Sequence, residues 1–342
     1  QVERNFSQED TKVSSTWRSD SHSPQVSGPQ GGLWSAPNDT YSYSTTVHFT
    51  SDGRYTAKIT AMDLAGNVAE KTIDIPEFVI DTTKPDIQFD NVKDKTAYKD
   101  KVSPSILVSD ADIDGAKTTY KLTATRLKDA SKAVDVSSKE TDMSRTFTFS
   151  DFRHKVENDD VYTLQVQATD LAGNTFSKTI TFSVNRYGST YKLSKSTAAL
   201  RGKFVKSSGN IVVDEINVSG LQMDQSKVLV AHGEDSQILN TQQYSAVESD
   251  DKGWSRTRYT ILEHNFREDG YYRVILSSKD KAGNVNENTM DKKDSTRTKA
   301  VNINFAVDNT SPAVKAIGAK SHAVYYSAHG RIITVQAQDN LK

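Results

Sequence analysis

The pattern Asp-x-Ala-Gly-Asn occurs three times, at 63–67, 170–174 and 280–284, and it limits what this chain can fold into more than any other feature. A tyrosine stands eight positions before each of its aspartates: Tyr55, Tyr162 and Tyr272. Between the two, apolar and polar residues alternate, as in Tyr162-Thr-Leu164-Gln-Val166-Gln-Ala168. A period of two marks a strand with one buried face. Gly-Asn in the short loop supplies the positive-φ positions of a tight hairpin. A second alternating run follows, clearest in Phe176-Ser-Lys-Thr-Ile180-Thr-Phe182-Ser-Val184. Each copy therefore predicts a β-hairpin of one recurring β-domain.

The spacing sets the size of that domain. Asp63 and Asp170 are 107 residues apart, and Asp170 and Asp280 are 110 apart, about the length of an immunoglobulin-like sandwich. The hairpins open with Asp52-Gly53-Arg54-Tyr55, Asp159-Asp160-Val161-Tyr162 and Asp269-Gly270-Tyr271-Tyr272. A tyrosine at the start of strand F after such a turn looks like the tyrosine corner of these sandwiches, its hydroxyl bonded to the preceding loop. Two residues on, where antibody domains carry a cysteine, stand Ala57, Leu164 and Val274. The fold class expected is all-β, with tandem immunoglobulin-like modules in an elongated array. The expected division is 1–80 (a module lacking its first strands), 81–185, 186–307 with longer loops, and 308–342 as the first two strands of a further module. Residues 187–200 read as a linker, 19–38 and 233–251 as loops at module ends. Modules joined in this way are expected to behave as near-independent units.

Composition excludes several functions. The net charge of −1 suggests neither nucleic acid nor an anionic membrane as partner. No apolar run reaches the roughly 18 residues of a membrane span, and residues 1–10 lack the basic start and apolar centre of a signal peptide. The chain reads as a piece from the interior of something longer. Its seven histidines are scattered, there is no cysteine, and neither a nucleophile elbow nor a phosphate-cradling loop is present. No catalytic or metal-ligating residues are assigned, no cofactor is expected, and the chain reads as no enzyme. The Asp110-Ala-Asp112-Ile-Asp114-Gly115 run begins like an EF-hand loop, but Lys121 stands where the closing glutamate belongs. It reads as a polar connection between strands.

Asp-x-Ala-Gly-Asn, followed by Phe78-Val-Ile-Asp81-Thr-Thr-Lys-Pro85 and later by Phe305-Ala-Val-Asp308-Asn-Thr-Ser-Pro312, resembles the bacterial immunoglobulin-like repeats of Gram-positive cell-surface proteins. The segment Glu3-Arg-Asn-Phe6 is similar to one frequent in those repeats. The resemblance implies an extracellular, cell-surface or cell-wall location and a non-catalytic stalk or spacer. Two alternatives stay open: an adhesin whose end loops bind a glycan or host protein, and the accessory region of a large secreted enzyme or phage tail protein. Neighbouring modules of the same chain are the expected partners. The resemblance also places Asp81 and Asp308 where some such arrays hold structural calcium; the reading preferred is that each bonds local backbone amides.

Overall fold

The computed structural model describes residues 2–8, 11–19, 25–27, 46–48, 52–63, 70, 73–291, 299–326 and 330–341. Side chains are described at 52, 53, 70 and, within those ranges, from 76 onward. The fold is all-β, built of immunoglobulin-like modules in series.

Residues 81–185 form a sandwich of two four-stranded sheets. In one, the spatial order is Val136–Thr141, Ser144–Phe149, Ser105–Ser109, Asp86–Asp90; in the other, Thr119–Ala124, Asp160–Thr169, Thr175–Val184, Thr96–Tyr98. All neighbours are antiparallel except Thr96–Tyr98, which runs parallel to Thr175–Val184. The alternation read in the sequence becomes the core: Tyr162, Leu164, Val166 and Ala168 are fully buried and face Ile106, Val108, Phe147 and Phe149 of the opposite sheet.

The next module repeats the plan. One sheet is ordered Thr190–Leu193, Ile211–Asn217, Trp254–Ile261, Tyr244–Asp251. The other is ordered Phe204–Val205, Ile303–Val307, Gly270–Asp280, Leu221–His232, Asp235–Ile238, with Val285–Glu287 also pairing with Gly270–Asp280. Between the sheets Glu215 is fully buried, accepting hydrogen bonds from Tyr191 Oη (3.2 Å), Tyr259 Oη (3.2 Å) and Ser278 Oγ (2.6 Å). Burial pushes its carboxyl above the usual range.

Two expectations are corrected in this module. Residues 187–200 are not a slack linker: Thr190–Leu193 is a strand with Tyr191 buried, and Lys195–Leu200 is a short helix capped by Ser194 Oγ. A strand this short shows almost no alternation, so its polar neighbours concealed it. Residues 233–251 are not a loop but contain strands Asp235–Ile238 and Tyr244–Asp251. Both carry polar side chains on exposed faces, which erases the period-two signal.

The two tyrosine corners whose side chains are described form as expected. Tyr162 Oη donates to Asn158 O at 2.7 Å and Tyr272 Oη to Glu268 O at 2.9 Å, each four residues back. At the positions where a disulfide would stand, Leu164 and Val274 are fully buried.

Toward the amino terminus, Val2–Gln8, Thr11–Ser19, Gly53–Asp63 and Ile73–Ile80 form one sheet, and Gln25–Ser27 pairs with Thr46–His48. The side chains of Ala57 and Tyr55, the hairpin loop at 64–69 and most of the loop at 19–38 lie outside the described residues. Toward the carboxyl terminus, Ala313–Ile317 pairs with Thr334–Gln338. No helix among the described residues is long and apolar enough to cross a membrane.

Removing one corner hydroxyl tests whether it anchors strand F. Tyr162→Phe leaves the carbonyl of the buried Asn158 without its donor and should cost about 1–2 kcal/mol. Tyr272→Phe should cost about 1 kcal/mol, because Glu268 lies nearer solvent. Urea unfolding midpoints measure both; no shift in either variant would show the corner to be decorative.

Candidate functional site: the joints between modules

Nothing in the described residues assembles a nucleophile, base and oxyanion donor. What recurs is a joint, and it is built from the two motifs the sequence repeats.

The aspartate three residues before each corner tyrosine reaches forward to the residues that open the next module. Asp52 accepts from the Thr82 amide (2.9 Å), Thr82 Oγ1 (2.7 Å) and Thr83 Oγ1 (2.7 Å). Asp159 accepts from the Arg186 and Tyr187 amides at 2.9 and 3.0 Å. Asp269 accepts from the Asn309 amide (2.8 Å) and Thr310 Oγ1 (2.6 Å). These bonds favour the ionised carboxyl, so Asp52 lies below the usual range through the Thr83 and Thr82 hydroxyls, and Asp269 through Thr310 and the Asn309 amide. The sequence suggested only a turn here; the repeated Asp at fixed distance from the tyrosine was the available signal.

The Asp-x-Ala-Gly-Asn loop is the receiving surface. Asp170 Oδ1 accepts the Asn174 amide and Asp280 Oδ1 the Asn284 amide, both at 2.8 Å, which closes each loop across Gly173 and Gly283 at positive φ. The asparagine side chain, bonded through Nδ2 to the other oxygen of the same aspartate, also holds the incoming chain. Asn174 Nδ2 donates to Asp81 O (3.0 Å) and Asn284 Nδ2 to Asn185 O (2.8 Å).

At the joint near residue 185 the centre is buried and amide-rich. Asn185, Asn217 and Asp280 are at most 1% exposed. Asp280 Oδ2 accepts from Asn185 Nδ2 (3.0 Å), Asn217 Nδ2 (3.1 Å) and Asn284 Nδ2 (2.9 Å). Asn217 Nδ2 also reaches Ser189 Oγ, and the Ser189 amide donates to Asn286 Oδ1. Beside this network, Trp254 Nε1 donates to Asp160 Oδ1 of the preceding module at 2.7 Å, and the Arg126 guanidinium lies 3.8 Å from the Trp254 ring centre. The indole also packs with Ile216, Val218 and Val161. The two modules therefore share a small core of their own, which the expectation of near-independence did not foresee.

The joint near residue 81 has the same frame with different chemistry. Asp81 stands where Asn185 does, each presenting its backbone carbonyl to the loop asparagine. Asp110 stands where Asn217 does, each accepting the amide two residues on (Asp112 and Ser219). Oxygens of Asp81, Asp110 and Asp170 lie within 4.8 Å of one another. Burial, then the neighbouring Asp110 and Asp170, raise the Asp81 carboxyl above its ordinary value despite the Thr83 amide bonded to it. An all-oxygen donor set of this kind suits a hard divalent cation. Of the two junction acids singled out in the sequence, Asp81 joins this group, whereas Asp308 is seen bonding the Thr310 amide. The EF-hand-like run resolves into local caps, with Asp114 accepting the Ala116 amide at the start of a 3₁₀ turn.

A family model described as bacterial Ig-like domain (group 3) matches residues 38–187. No curated protein matches the sequence. Among solved structures, the tetra-tandem repeat in the extending region of a large adhesion protein is 16% identical at TM-score 0.37, with 93% of this chain and 72% of that one covered. The GspB Siglec domain is 13% identical at TM-score 0.24; 37% of this chain is covered, and the match spans 65% of that structure. The C-terminal domain of the Streptococcus pyogenes antigen I/II-family protein AspA is 8% identical at TM-score 0.23, covering 66% and 99%.

The two joints predict opposite responses. Asp280→Ala takes away the acceptor shared by three buried side-chain amides and the Asn284 backbone amide and should destabilise by about 3 kcal/mol or more, merging less completely the unfolding of 81–185 with that of 190–307 in calorimetry. Asp81→Asn with Asp110→Asn should instead stabilise, by supplying the donors found at the other joint. Because the folded Asp81 binds its proton more tightly than the unfolded one, wild-type stability at this joint should fall as pH rises from the ordinary value of 3.8 through the raised folded value. Thermal unfolding of wild type and double variant from about pH 4 to pH 7 measures the difference; parallel curves would refute it.

Proposed function

We propose that this chain, whose residues 38–187 carry a bacterial Ig-like domain of group 3, is a non-catalytic spacer of an extracellular bacterial surface protein. Its task is to hold a working part at a set distance from a cell wall. The observation that supports this reading best is the joint around Asn185. A linker that only connected two domains needs no buried amides. Here every residue from Asn185 to Ser189 except Gly188 makes hydrogen bonds to one or the other module through its amide or side chain, and Gly188 bonds back to Asn185 Oδ1. Committing donors on both sides fixes an angle, and a fixed angle is what a spacer requires. Each sandwich contributes roughly 35–45 Å of length at ordinary strand rise.

Small-angle scattering of the whole chain is the test. The wild type should show a maximum dimension well above roughly 100 Å with a narrow, rod-like distance distribution. Trp254→Ala with Asp160→Ala should broaden that distribution while far-ultraviolet dichroism stays unchanged. A wild-type curve that fits a freely jointed set of modules would sink the spacer reading.

A further inference from the structure

The outer face of the six-stranded sheet in the module at 190–307 carries a groove that the joints do not use. Cross-strand pairing sets Ala306 between Phe204 and Tyr271. Its small side chain is buried beneath two aromatic rings, each 50% exposed. Their centres are 5.7 Å apart and their planes meet at 77°, so they make a corner and not a flat wall. Two residues along the strands, Asn304 pairs with Arg273, and Lys203 lines the same hollow. The cavity measures about 420 Å³, within the range of roughly 300–1,000 Å³ usual for small-ligand sites.

Its charge is one-sided. In a chain with 43 basic and 44 acidic residues, this groove is lined by two cations and no carboxylate. Neither Arg273 nor Lys203 has an ion-pair partner among the described residues. Arg258 on the other sheet, by contrast, is paired with Asp214 at 2.7 Å. Apolar rings, a guanidinium fork with no ion-pair partner among the described residues and a side-chain amide thus line one hollow.

We propose that the groove binds a carboxylate-bearing sugar residue of an acidic carbohydrate. The apolar C–H face of the sugar ring packs in the corner of Phe204 and Tyr271. Its carboxylate takes the planar fork of Arg273, with Lys203 adding a second charge, and a ring hydroxyl meets the Asn304 amide. A peptide is the poorer occupant. The groove lies on the face of the sheet, and the adjoining edge strand is only Phe204–Val205, too short to pair with an added strand. A peptide backbone laid over the face would leave its amides and carbonyls largely unmet. A saccharide has no such obligation along its apolar face. This proposal stands independently of the spacer reading, since a rod can carry a binding face and a flexible chain can too.

The test is titration calorimetry on the whole chain with sialyllactose, a hyaluronan tetrasaccharide and neutral lactose, plus a hexaglutamate peptide. At least one acidic sugar should bind, more weakly as salt is added, and lactose should bind at least about tenfold less well. Arg273→Gln should weaken the acidic sugar by about tenfold or more, and Tyr271→Ala should remove binding. Both positions are exposed, so unchanged melting temperatures confirm that the variants fold; Arg256→Gln on the other sheet serves as a control that leaves binding intact. Absence of binding by both acidic sugars at millimolar concentration overturns the proposal. So does equal binding of lactose, insensitivity to Arg273→Gln, or preferential binding of hexaglutamate.

Discussion

The structure depends on a carboxylate that looks outward from its own module. Asp52, Asp159 and Asp269 each sit directly before a strand and spend their oxygens on the first residues of the next domain. Because the same turn carries the corner tyrosine, the anchor of strand F and the anchor of the neighbouring module share one backbone segment. Strand F, Asp160–Thr169 in one module and Gly270–Asp280 in the next, supplies fully buried core residues: Leu164 and Val166 in one and Val274 and Leu276 in the other. The orientation of a module is thus referred to the core of its predecessor through only a few rigid atoms. An apolar seam would also have joined two sandwiches, but it is non-directional; hydrogen bonds to a fixed carboxylate select one orientation.

Within that common frame, the difference between the joints comes down to two side-chain amides. Around Asp280, Asn185 and Asn217 donate into the single charge, and every oxygen has a partner. Around Asp170, the corresponding Asp81 and Asp110 bring acceptors to an acceptor. Isosteric residues give the same backbone and opposite electrostatics. One joint is satisfied by protein groups alone, whereas the other concentrates negative charge at the contact between modules.

Much of this fold was legible in the sequence, because hairpins and corners are local. Tyr162 lies on the strand Asp160–Thr169 and Asp170 follows its end directly, so their spacing survives any change in the loops. The joints were not legible as joints. Asn185, Asn217 and Asp280 are separated by long stretches and are individually ordinary; only the fold brings them together. Asp159-Asp160 reads in the sequence only as the opening of a hairpin, yet Asp159 holds the next module's amides and Asp160 receives Trp254. The groove was equally hidden, since Phe204 and Tyr271 meet only through the parallel pairing of a two-residue strand with Ile303–Val307. Residues 187–200 were misread for a related reason: polar residues that serve a buried network have the composition of a linker.

The commitment of residues 185–189 to both neighbours also bears on how tension passes along the chain. In a string of domains joined by loose segments, the first response to pulling is entropic, as slack straightens at little force. Here the connecting residues are already held by Asp159 on one side and by Asp280 and Asn286 on the other. There is no slack to draw out. A pull is transmitted at once from one sheet to the next, and the chain answers first by loading hydrogen bonds, as a stiff spring does, before any strand is asked to leave its place.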